Sequence, residues 1–390
     1  MNRGTYIFTE VMASMPRRSF DQCVARYQGE RYAKNFSCRD QFLAMAFGQL
    51  AYRESLRDVV ACLSSHDKKR YHLGFRSLVT RSTLADANEK RDWRMYRDFA
   101  EVLIEKARKL YVNEPDIAAD IKASCYAIDS TSIHLCLTLF PWAPYVPASA
   151  AVKLHTVIDL RGSIPTFFDM TSGKVNDVNF LDSITFESGA FYVMDRGYLD
   201  FGRLYKIHTG GSFFVTRAKD NTHLQRRYSH PVNQGTGVLC DQTVFLGGKK
   251  TKERYQGPFR RIKYRDEKTG KVYVFLTNNF SVSATSIALL YKHRWQIELF
   301  FKWIKQHLKI KAFWGHSENA VKTQICIALC AYLLVSILKK QCNLTQNLYE
   351  ILQILSVSLF DRNGLVELFS LVDLQKDVKG SENTSRLFDF

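Results

Sequence analysis

A chain of 390 residues that is 46% hydrophobic can bury a sizeable core, which excludes a disordered polymer and makes two or three domains the expectation. Its 55 Lys and Arg against 38 Asp and Glu leave a formal charge of +17, which favours a polyanionic partner, nucleic acid being the commonest. The nine cysteines are scattered, with no Cys-x-x-Cys pair and no His at zinc spacing, so a disulfide scaffold is excluded and reduced thiols are expected.

The start Met1-Asn2-Arg3 has no apolar signal core, so a cytoplasmic protein is expected. Residues 1–115 read as a helical domain: Asp40 to Tyr52 and Trp93 to Lys109 place apolar residues at three and four spacing, and polar turns such as Ser64-Ser65-His66-Asp67 separate the runs. Residues 1–112 carry 21 basic against 13 acidic side chains. Short helices with basic residues between them suit a helix-turn-helix DNA reader, with a solvated accessory domain as the plainer alternative.

From Cys125 the period changes. Tyr126-Ala127-Ile128, Leu154 to Leu160, Ile164 to Phe168 and Phe191 to Met194 are short apolar runs bounded by Asp, Gly and Pro, the pattern of strands. A helical stretch follows Asn176, a helix is expected over Phe201 to Ile207, and a strand over Ser212 to Thr216. Strand, strand, strand, helix, strand, helix, strand is the order of a ribonuclease-H-like α/β domain, expected over residues 116–345. Residues 226–278 are Gly-rich and strand-rich, with strands expected over Thr243 to Leu246, Arg260 to Tyr264 and Val272 to Leu276, and read as a β insertion. Within that insertion Phe245 to Phe275 holds 10 basic against 3 acidic residues. Helices are expected over Ser286 to Leu308 and Asn319 to Lys339. Thr323 to Leu338 is apolar but only roughly 16 residues, short of the ~20 that span a bilayer, so no membrane is expected and a buried helix is. Residues 346–390 form a C-terminal tail, with dimerisation as its candidate role.

In-line displacement at a phosphodiester is best served by two cations near the attacking and leaving oxygens, and hard carboxylate ligands suit Mg2+ or Mn2+. Acids placed beside apolar strands are therefore the candidates. Asp129 follows Tyr126-Ala127-Ile128 and Asp195 follows Phe191 to Met194; each carboxylate would be costly to bury without a partner. Taken singly, each is more often a turn or cap residue. On one continuous helix Tyr291, Arg294, Glu298 and Lys305 fall at about 0°, −60°, −20° and −40°, a single polar stripe. Leu290, Ile297, Leu299, Phe300, Phe301, Trp303, Ile304 and Leu308 wrap most of the remaining circumference, so the helix is expected to be buried except for that stripe. Lys153 and His155, on the strand beside Asp129, are further candidates for the cleft.

Tyr291-x2-Arg294-x3-Glu298-x6-Lys305, with Ile-Asp-Ser-Thr around Asp129 and Asp-Arg-Gly-Tyr around Asp195, resembles the signature of bacterial insertion-sequence DDE transposases of the family-four type. The resemblance covers residues 125 to 340, and the N-terminal domain more loosely. It implies that Asp129, Asp195 and Glu298 bind two divalent ions, and that Tyr291, Arg294 and Lys305 contact DNA near the cleaved phosphate. It implies phosphate contacts for Arg217 and Lys219 in Phe214-Val215-Thr216-Arg217-Ala218-Lys219, where plain surface charge is the alternative. Relatives stack a flipped base on a tryptophan in the last insertion strand. Tyr273 is the matching position here, with core packing the other role open to it. The expected protein binds terminal inverted repeats on double-stranded DNA, cleaves and rejoins strands through a hairpin, and works as a homodimer in a synaptic complex. The rivals are an inactive DNA-binding relative, a ribonuclease-H-like nuclease without strand transfer, and, more distantly, a carbohydrate enzyme with paired carboxylates.

Overall fold

The computed structural model describes residues 5–147, 149–307, 313–362 and 364–370. The chain forms two compact units, Met1–Leu110 together with the segment from Trp303 onward, and Tyr111–Lys302. Residues 116–345 are thus shared between them, and residues 371–390 of the expected tail lie outside the described residues.

The first unit is helical. Its N-terminal part holds α1 (Ile7–Ala13), α2 (Arg17–Arg26), α3 (Cys38–Leu50), α4 (Leu56–Ser65), α5 (Arg81–Lys90) and α6 (Arg94–Tyr111). A capping box starts α3: Ser37 accepts from the Asp40 backbone N–H, and the Asp40 side chain accepts from Ser37. Apolar or small on nearly every face, α3 is buried from Asp40 to Leu50, as such a helix must be. Phe42 of α3 and Phe20 of α2 each pack edge to face on Phe99, with centroids 5.5 Å apart for Phe42–Phe99 and 5.0 Å for Phe20–Phe99.

The second unit is built on one ten-stranded sheet. Its strands are β1 (Cys125–Leu135), β2 (Pro144–Val146), β3 (Ser149–Asp159), β4 (Ile164–Ser172), β5 (Phe191–Met194), β6 (Phe213–Arg217), β7 (Leu224–His230), β8 (Val238–Leu246), β9 (Phe259–Arg265) and β10 (Val272–Thr277). The expected helical stretch after Asn176 is a 3-10 turn, Asp177–Ser183, capped by Asn176. Helix α7 spans Phe201–Thr209, α8 Lys249–Arg254 and α9 Ala284–His293. β1 pairs antiparallel with β3, and β3 with β4; β1 then pairs parallel with β5, and β5 with β6. That arrangement is the ribonuclease-H-like core. Leu204 and Ile207 of α7 cover it together with Tyr126, Tyr192 and Phe214.

The strands between Arg226 and Asn278 do not form a detached module. β10 returns to pair antiparallel with β6, and β9, β8 and β7 follow in turn, so the insertion extends the same sheet.

The helix expected over Ser286 to Leu308 is two helices. α9 ends at His293 and α10 runs Trp295–His307, with Arg294 between them. The division between the units falls within α10. The helix expected over Asn319 to Lys339 is α11 (Glu318–Gln341), and α12 (Leu348–Ser358) follows. At 24 residues α11 is longer than the apolar run suggested, and by length and composition it could cross a bilayer. It is instead the core of the helical unit, with 94% of its most apolar window buried.

Candidate active site

The register of the parallel strands brings the first two acids side by side. Ile128 pairs with Met194, so Asp129 and Asp195 are each one residue beyond a paired position. β5 stops there, while β1 runs on to Leu135 because β3 keeps pairing with it up to Leu135↔Ala150. Asp129 therefore lies within its strand, beside the place where its parallel neighbour ends. Ligands favour that carboxyl edge in α/β sheets.

The third acid arrives through the break at Arg294. There the Arg294 N–H donates to the Tyr291 carbonyl and the Ile297 N–H to the Arg294 carbonyl, both 3.1 Å and both spanning three residues rather than four. Arg294 keeps right-handed helical dihedrals, so the chain stays almost in phase across the junction. Tyr291, Arg294 and Glu298 consequently still converge although two helices carry them. The apolar wrap around α10 is less complete than expected: Ile297, Phe300, Phe301, Trp303 and Ile304 are buried, but Leu299 is 46% exposed and Leu308 lies outside the described residues. Lys305 is partly buried on α10, seven residues beyond Glu298 and past the division between the units.

Guanidinium groups tie the carboxylates together. Arg294 donates from Nη1 to Asp129 Oδ2 at 3.2 Å and from Nη2 to Glu298 Oε1 at 2.5 Å. Arg217 grips Asp195 Oδ1 from Nε at 3.1 Å and Nη2 at 2.6 Å, and the Tyr291 hydroxyl donates to the same oxygen at 3.2 Å. Both guanidiniums lie over the Tyr291 ring, Arg294 at 5.7 Å and Arg217 at 5.9 Å from its centroid, and the ring packs on Phe275 at 4.8 Å. Tyr273 lies parallel to Phe275, two residues along β10, with centroids 5.9 Å apart. Lys219 is exposed in the loop after β6.

The acids differ in their electrostatics. Burial pushes the Asp129 carboxyl up to about 6, against the Ser130 N–H and Arg294, with Asp195 and Glu298 adding to the rise. Burial would also raise Asp195. The Arg196 backbone N–H, Arg217 and Arg294 outweigh it and hold that carboxyl below the usual aspartate range. Burial raises the Tyr291 phenol to about 12, so it remains a donor at neutral pH.

The Asp129 value has a stability consequence with a definite sign. A folded-state pKa raised from 3.8 to about 6 means that stability is fully present below 3.8 and is lost as pH rises through about 6. In chelator, Asp129→Asn should therefore be about 3 kcal/mol more stable than the parent at pH 7.5, the gain vanishing near pH 3.5. Urea denaturation at the two pH values checks this, and equal stability at pH 7.5 would refute it.

Lys153 and His155 do not join the acids. His155 is fully buried, bonds Thr171 Oγ1 at 2.8 Å and stacks on Phe180. Lys153 pairs with Asp177 at 3.0 Å, and the Ser130 hydroxyl donates to Asp177 at 2.7 Å. Asp177, held by Lys153 and by Ser130, the residue after Asp129 in the chain, is an acid that the sequence reading missed. Its one signal is its place directly after Asn176, the residue that caps the 3-10 turn.

Three carboxylates are hard oxygen donors, and the incompletely compensated charge on half-buried Asp129 suits a divalent cation. Among the described residues no three His, Cys, Asp or Glu are drawn close enough to enclose an ion, since Arg294 stands between two of the acids. The residues fit the group in kind.

The sheet order and this carboxylate edge define a ribonuclease-H-like catalytic domain. Residues 120–334 match the family model described as a transposase DDE domain, and residues 3–76 match a family described as a domain of unknown function. The chain is 36% identical over 289 residues to the Sinorhizobium fredii protein named as transposase y4zB, covering 73% of this chain and 79% of that protein. It is 34% identical over 224 residues to a Geobacillus stearothermophilus protein named as a transposase for insertion sequence element IS5377, covering 56% and 58%. A solved synaptic complex of piggyBac transposase with hairpin DNA has a TM-score of 0.44 at 12% identity, covering 90% of this chain and 77% of that one. The chain belongs to the DDE transposase family of bacterial insertion sequences, an enzyme family that depends in general on divalent metal.

Proposed function

We propose that this transposase binds the terminal inverted repeats of its element as duplex DNA, hydrolyses one strand, turns the freed 3′ hydroxyl on the opposite strand to form a hairpin and release the flanking DNA, reopens that hairpin with a second water to regenerate the 3′ hydroxyl, and later joins the ends to target DNA. Asp129, Asp195 and Glu298 are its metal ligands and hold two ions, Mg2+ or Mn2+. Bound ions would neutralise phosphate charge and lower the pKa of an attacking water. The observation that carries the reading is the gathering of three acids from β1, the end of β5 and the first turn of α10 onto Arg294, Arg217 and Tyr291.

In this reading the residues around the acids position them and the phosphate. Arg217 and Tyr291 both donate to Asp195 Oδ1 and fix that side chain, so little reorientation is needed when substrate arrives. Tyr291, Arg294, Lys305, Arg217 and Lys219 are assigned as DNA contacts by the family signature and the basic strand end, and Tyr273 offers a flat face for a base. The signature residues are those of the family-four type. Residues 1–115 read DNA, 116–345 carry the catalytic domain with the 226–278 insertion, and 346–390 contribute to a homodimer that holds both ends in one synaptic complex. Work on chromosomal DNA places it in the cytoplasm, at the nucleoid.

Salt titration tests the DNA reading. Log affinity for an end-containing duplex should fall with log salt at a slope of about −0.9 per phosphate neutralised, and Lys219→Ala should shallow that slope by about 0.9. A salt-independent affinity overturns the reading.

A further inference from the structure

The Arg294 guanidinium occupies an unusual position for a side chain read as a phosphate contact. It is only 14% exposed, and two of its nitrogens are committed to carboxylates on different elements, Asp129 of β1 and Glu298 of α10. Its Nε is buried with no hydrogen-bond partner, so the local backbone does not satisfy this group, and the two acids dictate where it lies. Asp129 and Glu298 would otherwise repel across a partly buried space.

From this geometry we infer that Arg294 is a positioning residue that stands in for a cation: in the metal-free enzyme its guanidinium bridges Asp129 and Glu298, and metal binding requires that bridge to open. The inference rests on the reading of Asp129 and Glu298 as metal ligands. The bridge holds the first turn of α10 against β1 before any ion is present. It also competes with the ion for the same oxygens. Once displaced, the guanidinium is left charged beside the site, next to the Tyr291 ring on which it already lies. A phosphate oxygen can then take the place of the carboxylates, so one side chain serves the empty site and the loaded one in turn.

The test is Mn2+ titrated into chelator-treated, full-chain protein, with free Mn2+ read by electron paramagnetic resonance and the thermal midpoint followed in parallel. Arg294→Gln should bind Mn2+ about tenfold more tightly, the size of one charge-assisted hydrogen bond, and should gain more in thermal midpoint from Mn2+ than the parent. Arg294→Lys, which cannot span two carboxylates, should fall between the two and decides by the same criterion if the Gln variant does not fold. Unchanged or weaker Mn2+ affinity in the variant overturns the inference, because a residue that only braces the site would loosen the ion on removal. Asp129→Asn separates the two readings. Loss of Mn2+ binding there upholds the triad whatever Arg294 does, whereas parental binding by Asp129→Asn means the ligand assignment itself has failed.

Discussion

Asp195→Asn is expected to slow strand cleavage by on the order of 10^3-fold or more while leaving affinity for end-containing duplex within about twofold. The asparagine carbonyl can still accept from Arg217 and Tyr291, which both donate to Oδ1 of the native side chain, so the local structure should survive. What disappears is the negative charge. A neutral amide is a poor ligand for Mg2+ or Mn2+, and each 1.36 kcal/mol lost from transition-state stabilisation is about tenfold in rate. Its neighbours also hold Asp195 in the charged form, since the Arg196 backbone N–H, Arg217 and Arg294 together outweigh its burial. A metal-dependent nicking assay on a duplex carrying an element end, paired with a gel-shift measurement on the same duplex, reads both quantities. Parental cleavage by the variant would remove Asp195 from the triad.

The strands and acids of this site were legible because their signals are local. Tyr126 to Ile128 and Phe191 to Met194 are apolar runs that each end in an aspartate, and two such runs in parallel put those aspartates level. The break at Arg294 was not legible. No Gly or Pro marks it, and Arg294 retains helical dihedrals, so periodicity carries through Tyr291 to Glu298 as if the helix were continuous. The partnership of Arg217 with Asp195 depends on the pairing of β5 with β6, where Val193 meets Val215 and both chains run two residues further. Nothing in either segment alone announces that pairing. The insertion was legible as strands but not as part of the main sheet, because the return of β10 to β6 is a contact between residues about sixty apart in sequence, and the physics that selects it is burial rather than local propensity.

That extended sheet carries the second large expected effect: Arg260→Met should destabilise the catalytic unit by about 3–5 kcal/mol. Arg260 on β9 and Asp241 on β8 form a forked ion pair, Nε to Oδ1 at 2.9 Å and Nη2 to Oδ2 at 2.6 Å, with both side chains only 8% exposed. The remaining nitrogen donates to the Val282 carbonyl at 2.6 Å, immediately before Ser283 caps α9. One guanidinium therefore fastens the insertion strands to the start of the helix that brings Tyr291 to Asp195. Methionine fills similar volume but leaves the Asp241 carboxylate buried without a countercharge, and that uncompensated charge is the costly part. Arg260→Met combined with Asp241→Leu should recover most of the lost stability, since an apolar pair needs no desolvation of charge. Denaturant melts of the parent, single and double variants measure the three values. Equal losses in the single and double variants would show that the tie to Val282, rather than the stranded aspartate, sets the cost.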